Sequence, residues 1–310
     1  MSHVQGMTLA YNYCLGEGLE LGASLHNSFH LPNCPNLSPS DGTAYLYERD
    51  LLDYQHYQAG YINYSNSEMA PVDLIGDFQN IPKADISLDY LVSSHVIEHE
   101  PNLFAAFIES DRVLKNFGVF FCIFPKRHAT PGDGVRRLTT LQEMIDAHEN
   151  ELGMLDMPPE SWRGHYQLLS LQSMLRAVNY LNQQHLGSWL IETVEETDSK
   201  VGNGHTIVLR KYEKLAESRW PDDESFAQAF FSAWESDRLG EALAMLKISL
   251  SFNFFDPVKL HLAGHLSRQL GYTDEAIEFL RQALIIEPEN EEFRREFFEW
   301  SGIIYSNPVL

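Results

Sequence analysis

Residues 85–125 carry the clearest hydrophobic pattern of the chain. A β-branched apolar run, Tyr90–Ser94, ends in a polar cluster, and a segment with one apolar helical face follows it. A turn at Asn116–Gly118 then precedes a near-continuous apolar run, Val119–Phe124, which is typical of a strand buried on both faces. The segment therefore predicts one βαβ unit. The polar cluster consists of Ser94, His95, Glu98 and His99.

Three further strands are predicted upstream, and each ends in a residue suited to a ligand site. They are a short strand broken at Gly22, a second strand over Thr43–Glu48, and a third over Val72–Asp77. Prolines at positions 32, 35 and 39 argue against a long helix directly after the first strand. Since ligands of open parallel sheets bind at the carboxyl ends of the strands, Gly22, Glu48, Asp77 and His95 predict a site along one sheet edge.

The pattern downstream of this unit completes one α/β domain. Helices are predicted near Thr140–Asn150 and over Leu169–Leu181. Trp189–Glu195 and His205–Arg210 flank an Asn-Gly turn and predict a hairpin. We therefore predict a Rossmann-like doubly wound sheet with a C-terminal antiparallel hairpin over residues 1–213.

A 34-residue repeat begins after residue 212. Ala242 recurs as Ala276 and Leu246 as Leu280, and Pro288 stands where tetratricopeptide repeats place a terminal proline. This predicts a small all-α tetratricopeptide-like domain over residues 223–305. Two repeats bury little core between them, so the domain is expected to dock on the first domain, on a protein partner or on another copy.

Composition excludes several classes of partner. The formal net charge of −22 over 310 residues argues against binding to a nucleic-acid backbone, which needs clustered Lys and Arg. No apolar stretch approaches the roughly 18 residues that a membrane helix requires. The N-terminus lacks a basic segment followed by an apolar core, and the three cysteines show no framework spacing. We therefore expect a cytoplasmic protein with no membrane or nucleic-acid partner.

The residue types at the strand ends suit a nucleoside ligand. A glycine lets the backbone approach the ligand, and the Glu20 carboxylate beside it can bind an amine. A carboxylate at the end of the second strand, Glu48, can accept from both vicinal hydroxyls of a ribose. Asp77 can accept from an adenine amino group, with Phe78 as an apolar wall. Each of these acids taken singly is equally well explained as a surface residue; their recurrence at successive strand ends favours a site.

Four stretches of the chain resemble the class I S-adenosylmethionine-dependent methyltransferases. They are GLELGASLHNSF, YLYE, VDLIGDFQNIP and LDYLVSSHVIEH…RVLKNFGVFFCIFPKR, and they are most similar to the small-molecule and glycan-pathway branch of that family. The resemblance covers roughly residues 10–213. It implies S-adenosylmethionine as cofactor. The implied cofactor-binding residues are Glu20, Gly22, Ser24, Asn27, Glu48, Asp77, Phe78, Ser94 and His95.

The reaction that this resemblance implies is methyl transfer to an oxygen or nitrogen of a small metabolite, including a sugar-containing one. A hydroxyl acceptor needs a base, and imidazole titrates nearest neutral pH. The candidate bases are His95, His99, His128 and His165, with a loop histidine favoured because the acceptor must lie beyond the sheet edge. Each single histidine is equally explained as a hydrogen-bonded scaffold residue. Glu98 is expected to begin or brace the following helix.

Two alternatives stay open at this stage. The spacing of His95 and His99, together with His148 or His165, suggests a metal site, but no outer-shell pattern or cysteine pair supports it, so none is predicted. The rival function is a repeat-based scaffold protein whose sheet domain binds the cofactor without catalysis. The single glycine of the first strand end favours the scaffold, and the His-Val-Ile-Glu-His segment favours the enzyme.

Overall fold

The computed structural model describes residues 8–23, 29–40, 71–157, 164–212, 223–252 and 256–305. The predicted second strand and the site residues Ser24, Asn27 and Glu48 lie outside these ranges. The chain forms two compact units, one of residues 1–173 with 195–211 and one of residues 174–194 with 212–310. Among the described helices, none combines the length and the apolar character that a bilayer crossing demands.

Within the described residues, seven strands form a sheet with the order β3-β2-β1-β4-β5-β7-β6. Strands β1 to β5 are parallel to their neighbours and β7 is antiparallel to β5. This order and the mixed α/β content fit the predicted Rossmann-like fold. The strands are β1 (Gly18–Leu21), β2 (Asn36–Ser38), β3 (Leu74–Ile75), β4 (Leu88–Ser94), β5 (Leu114–Pro125), β6 (Trp189–Glu195) and β7 (Gly204–Lys211).

The strand beside β1 is one that the sequence did not predict. Asn36–Ser38 occupies this place, pairing Glu20 with Asn36. Three residues between two prolines are too few to show a strand pattern, yet Asn36 holds the position with its side chain. Its amide donates to the carbonyls of Ala23 and Pro71 at 3.0 and 2.9 Å.

Strand β5 is buried on both faces, as predicted. Phe121 and Ile123 face a core that includes Ala10 of α1 (Thr8–Tyr13). Phe120 points to the opposite face and meets Phe107 of α2 (Leu103–Val113) with ring centroids 5.6 Å apart. Because successive side chains alternate across a strand, helices cover both faces of the sheet.

The predicted turn before this strand is only partly right. Strand β5 begins already at Leu114, so Asn116–Gly118 lies within its bounds. The residues nevertheless interrupt the regular pairing, since the register with β4 shifts between Leu88 and Tyr90 and Phe117 adopts a left-handed φ of 66°. A local irregularity therefore replaces the turn.

Gly18 in β1 is fixed by packing. A Cβ atom there would lie 2.1 Å from the ring of Tyr90, which is fully buried and donates its hydroxyl to the carbonyl of Pro32 at 3.1 Å. No larger residue fits without moving this ring.

Helix α3 (Leu141–Glu149) begins where the sequence predicts. The Thr140 hydroxyl and the Glu143 carboxylate form a reciprocal capping box. Helix α4 (Leu171–Gln183) is amphipathic and buries Met174 and Val178.

The connection between β6 and β7 is longer than the tight Asn-Gly turn that the sequence predicts. The buried Asp198 carboxylate organises it by accepting from the backbone N–H groups of Lys200, Val201, Gly202 and Gly204 at 2.5–3.0 Å. Burial alone would raise the pKa of Asp198, but these hydrogen bonds hold it below the ordinary value.

Five helices follow in the described residues 223–252 and 256–305. The starts of the first and third helices are 34 residues apart, and so are the starts of the second and fourth. Successive helices pack on one another. They are α5 (Asp223–Glu235), α6 (Leu239–Phe252), α7 (Pro257–Gln269), α8 (Thr273–Ile286) and α9 (Glu291–Ser301).

Candidate functional site

The strand order reverses direction between β1 and β4, and the carboxyl ends of these two strands lie side by side. Leu21 pairs with Ser93, so Gly22 and His95 follow at neighbouring positions of the same edge. Gly22 has a φ of 64°, and a Cβ atom on it would lie 2.7 Å from the Val96 side chain. In open α/β sheets this reversal is the place where ligands bind.

His95 leaves β4 in a conformation that is uncommon for a residue with a side chain. Its φ is 57°, and its backbone N–H donates to the carbonyl of Ile123 at 2.9 Å. Its Nε2 atom is buried and has no hydrogen-bond partner among the described residues. His95 therefore combines an uncommon backbone conformation with an unsatisfied polar atom, at a position predicted to bind the cofactor.

A buried carboxylate with three imidazoles around it forms the centre of the site. Glu98 is 1% exposed, and neither carboxylate oxygen has a hydrogen-bond partner within the described part of the chain. Its Oε1 lies 3.7 Å from Nδ1 of His95, 3.8 Å from Nε2 of His99 and 3.9 Å from Nε2 of His165. We call these four residues the Glu98 cluster.

Glu98 does not play the predicted helix-bracing part. It lies in a short 3-10 turn over Ile97–His99, and the N-cap of α2 is Asn102, whose side chain accepts from the N–H of Ala105 at 3.0 Å. The carboxylate is therefore available to the imidazoles. Sequence reasoning missed this role because spacing along the chain could not show that His165 would reach it.

The two imidazoles of His99 and His165 are held from their far sides. Nδ1 of His165 lies 2.6 Å from Oδ2 of Asp133, and Nδ1 of His99 lies 3.2 Å from the carbonyl oxygen of Gly164. The rings meet edge to face with centroids 4.9 Å apart. Burial lowers the pKa of His99, although the Glu98 carboxylate acts in the opposite direction.

The remaining predicted base, His128, stays outside this cluster. It is exposed on the loop after β5, and its ring lies against the backbone of Gly134. Two basic residues of the same region pair with acids: Arg136 contacts Asp133 at 3.1 Å and Arg137 contacts Glu143 at 2.5 Å. Of the loop histidines that the sequence offered, the structure brings His165 to the cluster.

The end of β1 carries a carboxylate and an ammonium group. The buried Glu20 accepts from the backbone N–H of Phe29 at 3.0 and 3.1 Å. Lys200 of the β6–β7 connection lies 3.9 Å from the centroid of the Phe29 ring. Burial lowers the pKa of Lys200 to about 8, against the attraction of Glu20 and Asp198. No sequence pattern marks Lys200, because its approach to the site depends on the loop that Asp198 organises.

A third buried glutamate, Glu100, is linked to the residues that follow β3. Gln79 donates to the Glu100 side chain at 3.1 Å, and burial raises the pKa of Glu100 to about 8, with the nearby Asp77 adding to the increase. Phe78 does not form an open wall. Its ring is 3% exposed and packs edge to face on Phe120, with centroids 5.8 Å apart.

A cleft of about 440 Å³ lies in the same part of the chain. Its lining includes Arg136, which pairs with Asp133, and Tyr166 and Gln167, which directly follow His165. The backbone N–H of Gln167 donates to the carbonyl of Glu98 at 3.0 Å. The cleft wall is thus continuous with the segments that carry the Glu98 cluster.

Comparison with known proteins gives the enzyme class. Residues 47–122 match the family described as "Methyltransferase domain", and no curated protein matches the chain. The chain is thus an S-adenosylmethionine-dependent methyltransferase, with S-adenosylmethionine as its methyl donor.

Solved structures were also compared with the chain. An S-adenosylmethionine-dependent methyltransferase of Aquifex aeolicus is 14% identical, with a TM-score of 0.36 over 68% of this chain and 91% of that one. The YcgJ protein of Bacillus subtilis is 17% identical, with a TM-score of 0.37 over 68% of this chain and 100% of that one. Similarity at this level supports no conclusion about the acceptor.

Proposed function

We propose that the enzyme methylates an oxygen or nitrogen of a small metabolite, and that the reacting group of this acceptor binds at the Glu98 cluster. Sugar-containing metabolites belong to this class. The observation that carries the proposal is the buried Glu98 carboxylate in the turn after β4, which has no hydrogen-bond donor among the described residues. A hydroxyl or amine of the acceptor supplies the missing donor.

The methyl donor, S-adenosylmethionine, fits the neighbouring strand ends. Gly22 and Ser94 lie at the ends of β1 and β4, and Glu20 and Asp77 place carboxylates along the same edge. The buried Nε2 atom of His95, which has no partner among the described residues, is an open hydrogen-bonding position beside them. Ser24, Asn27 and Glu48 keep their predicted cofactor roles as proposals, whereas the burial of Phe78 against Phe120 disfavours its role as an adenine wall.

Methyl transfer requires one displacement at carbon and the removal of one proton. A lone pair of the acceptor forms a bond to the methyl carbon, and the carbon–sulfur bond breaks with its electron pair passing to sulfur. The acceptor proton leaves to an imidazole of the cluster, and His95 is the one that directly follows β4. The protein contributes alignment and a proton acceptor, which together lower the barrier.

We expect His165→Ala to lower turnover by about 10²–10⁴-fold, because it removes an imidazole of the cluster. The assay is release of S-adenosylhomocysteine over a panel of hydroxyl- and amine-bearing metabolites that includes sugars. His128→Ala is the matched control, since this exposed loop histidine does not reach the cluster, and it should keep full activity. Equal activity of both variants would contradict the proposal, and so would greater loss in the control.

We also propose that residues 1–213 form the methyltransferase domain and that residues 223–305 form tetratricopeptide-like repeats which dock on β6. The 34-residue offset of the helix starts supports the repeat assignment. The Arg281 guanidinium on α8 donates to the carbonyl of Val194 in β6, which supports docking. A partner protein or a second copy is the alternative occupant of the repeats.

A chain truncated after residue 215 tests docking. Loss of the repeats should expose apolar surface, so we expect a lower melting temperature and self-association of the truncated protein. Light scattering and thermal unfolding measure both effects. Unchanged solubility, melting temperature and oligomeric state would instead show that the repeats act as an independent adaptor.

A further inference from the structure

The hydrogen bonds around the Glu98 cluster fix where its protons lie. Nδ1 of His165 faces the Asp133 carboxylate, and Nδ1 of His99 faces the Gly164 carbonyl. Both partners are acceptors, so in each neutral ring the proton is on Nδ1 and Nε2 carries a lone pair. The two Nε2 atoms lie 3.8 and 3.9 Å from Oε1 of Glu98.

Three electron-pair donors therefore converge, namely the Glu98 carboxylate and the Nε2 atoms of His99 and His165. The oxygens of Glu98 lack hydrogen-bond partners among the described residues, and the carboxylate is buried. The ligand-type atoms of Glu98, His99 and His165 all lie within 4.8 Å of one another. A buried carboxylate facing two lone pairs is unfavourable unless a cation joins them.

The outer contacts are those of a metal site. Metal-binding histidines donate their other ring N–H to a carboxylate or a backbone carbonyl, and His165 and His99 show one case of each. The sequence could not reveal this outer shell, because Asp133 lies 32 residues before His165. Two imidazoles and one carboxylate suit a divalent transition metal such as Zn²⁺ or Fe²⁺.

A second group of two histidines and one glutamate differs in the hydrogen bonding of its carboxylate. His261 and His265 on α7 face Glu296 on α9, with Nε2–Oε2 distances of 2.6 and 3.1 Å. Oε2 of Glu296 lies within hydrogen-bonding distance of both imidazoles, and the two Nε2 atoms are 3.1 Å apart, so a ring proton can satisfy this carboxylate oxygen without an ion. It serves as an internal comparison.

We propose that Glu98, His99 and His165 bind a divalent transition-metal ion, and that the acceptor oxygen or nitrogen completes its coordination. The second part rests on the proposed function; the first does not. The observed gaps of 3.8 and 3.9 Å exceed the ~3.3 Å separation of ligands in a tetrahedral zinc site, so the side chains draw inward by a few tenths of an ångström on binding.

The test uses the full chain, stripped with a chelator and then titrated with Zn²⁺ or with Co²⁺, whose visible absorption reports its ligands. We expect one equivalent of zinc, bound at least tenfold more weakly after His99→Gln or His165→Gln. His261→Gln is the matched control and should retain the equivalent. Asp133→Asn, which leaves all three ligands in place, should weaken binding by about 10–100-fold. Circular dichroism confirms that each variant is folded.

Two outcomes would overturn the proposal. In the first, the wild-type chain binds neither zinc nor cobalt. In the second, His261→Gln no longer binds the equivalent of metal whereas His99→Gln still binds it. Calorimetry with S-adenosylmethionine on the stripped protein separates this inference from the proposed function. Donor binding without metal binding refutes the metal site alone. Metal binding without donor binding refutes the proposed donor site and leaves the metal site standing.

Discussion

Replacing Glu98 with Gln is expected to lower turnover by about 10²–10⁴-fold while S-adenosylmethionine still binds. The substitution keeps the size of the side chain and removes the charge that His95, His99 and His165 face at 3.7–3.9 Å. The donor lies along the strand ends, so its affinity should change by less than about threefold, or ~0.7 kcal/mol. Initial rates and calorimetry with the donor measure the two effects.

Glu100→Gln is the matched control for this substitution. Glu100 is also buried and stands two residues away, but its carboxyl group accepts from Gln79 at 3.1 Å. A glutamine carbonyl can accept the same hydrogen bond, so activity should be retained. If both variants lose activity equally, burial of any glutamate in this turn is what matters, and the Glu98 cluster has no special role.

The second large effect concerns stability in acid. His205 in β7 is buried, and burial lowers its pKa to about 4, against an ordinary value of 6.5. The folded chain therefore holds a neutral imidazole, whose Nδ1 donates to the carbonyl of Glu196 at 2.8 Å. Its contribution is fully present above pH 6.5 and is lost as the pH falls through 4, because the unfolded chain takes up the proton first. The loss amounts to about 3 kcal/mol.

His205→Asn should remove this part of the acid sensitivity, because an asparagine amide can replace the Nδ1 hydrogen bond and does not titrate. Urea unfolding at several values between pH 4 and pH 7 measures the free energy of unfolding. The difference in the free energy of unfolding between wild type and variant should become smaller, or change sign, toward pH 4. His185→Asn is the control, since His185 is exposed in a left-handed conformation that asparagine tolerates. A constant gap for His205→Asn would contradict the prediction.

Periodicity was sufficient to predict the elements with long patterns. Strand β4, helix α2 and the buried run of β5 follow from apolar spacing, and Thr140 with Glu143 marks the start of α3. The register between β1 and β4 then places Gly22 and His95 together, as the strand-end argument requires.

The parts that failed depend on contacts between distant segments. Strand β2 has three residues and is held by the Asn36 side chain, so its sequence has no strand period. Glu98 looked like a helix brace because its local spacing fits one. Asp133 and Lys200 reach the site through loops whose conformations come from side-chain hydrogen bonds, and no residue pattern encodes such a path.

The composition of the Glu98 cluster has a consequence for the order of folding. His95, Glu98 and His99 lie within five consecutive residues, whereas His165 comes from 66 residues beyond His99. The local three can come together as soon as β4 forms, but closing the long intervening segment carries an entropic penalty that grows with its length. The sheet can thus become native-like before the fourth member arrives. During refolding, the recovery of catalytic activity would then be slower than the burial of tryptophan. The difference between the two rates would report the docking of the His165 segment.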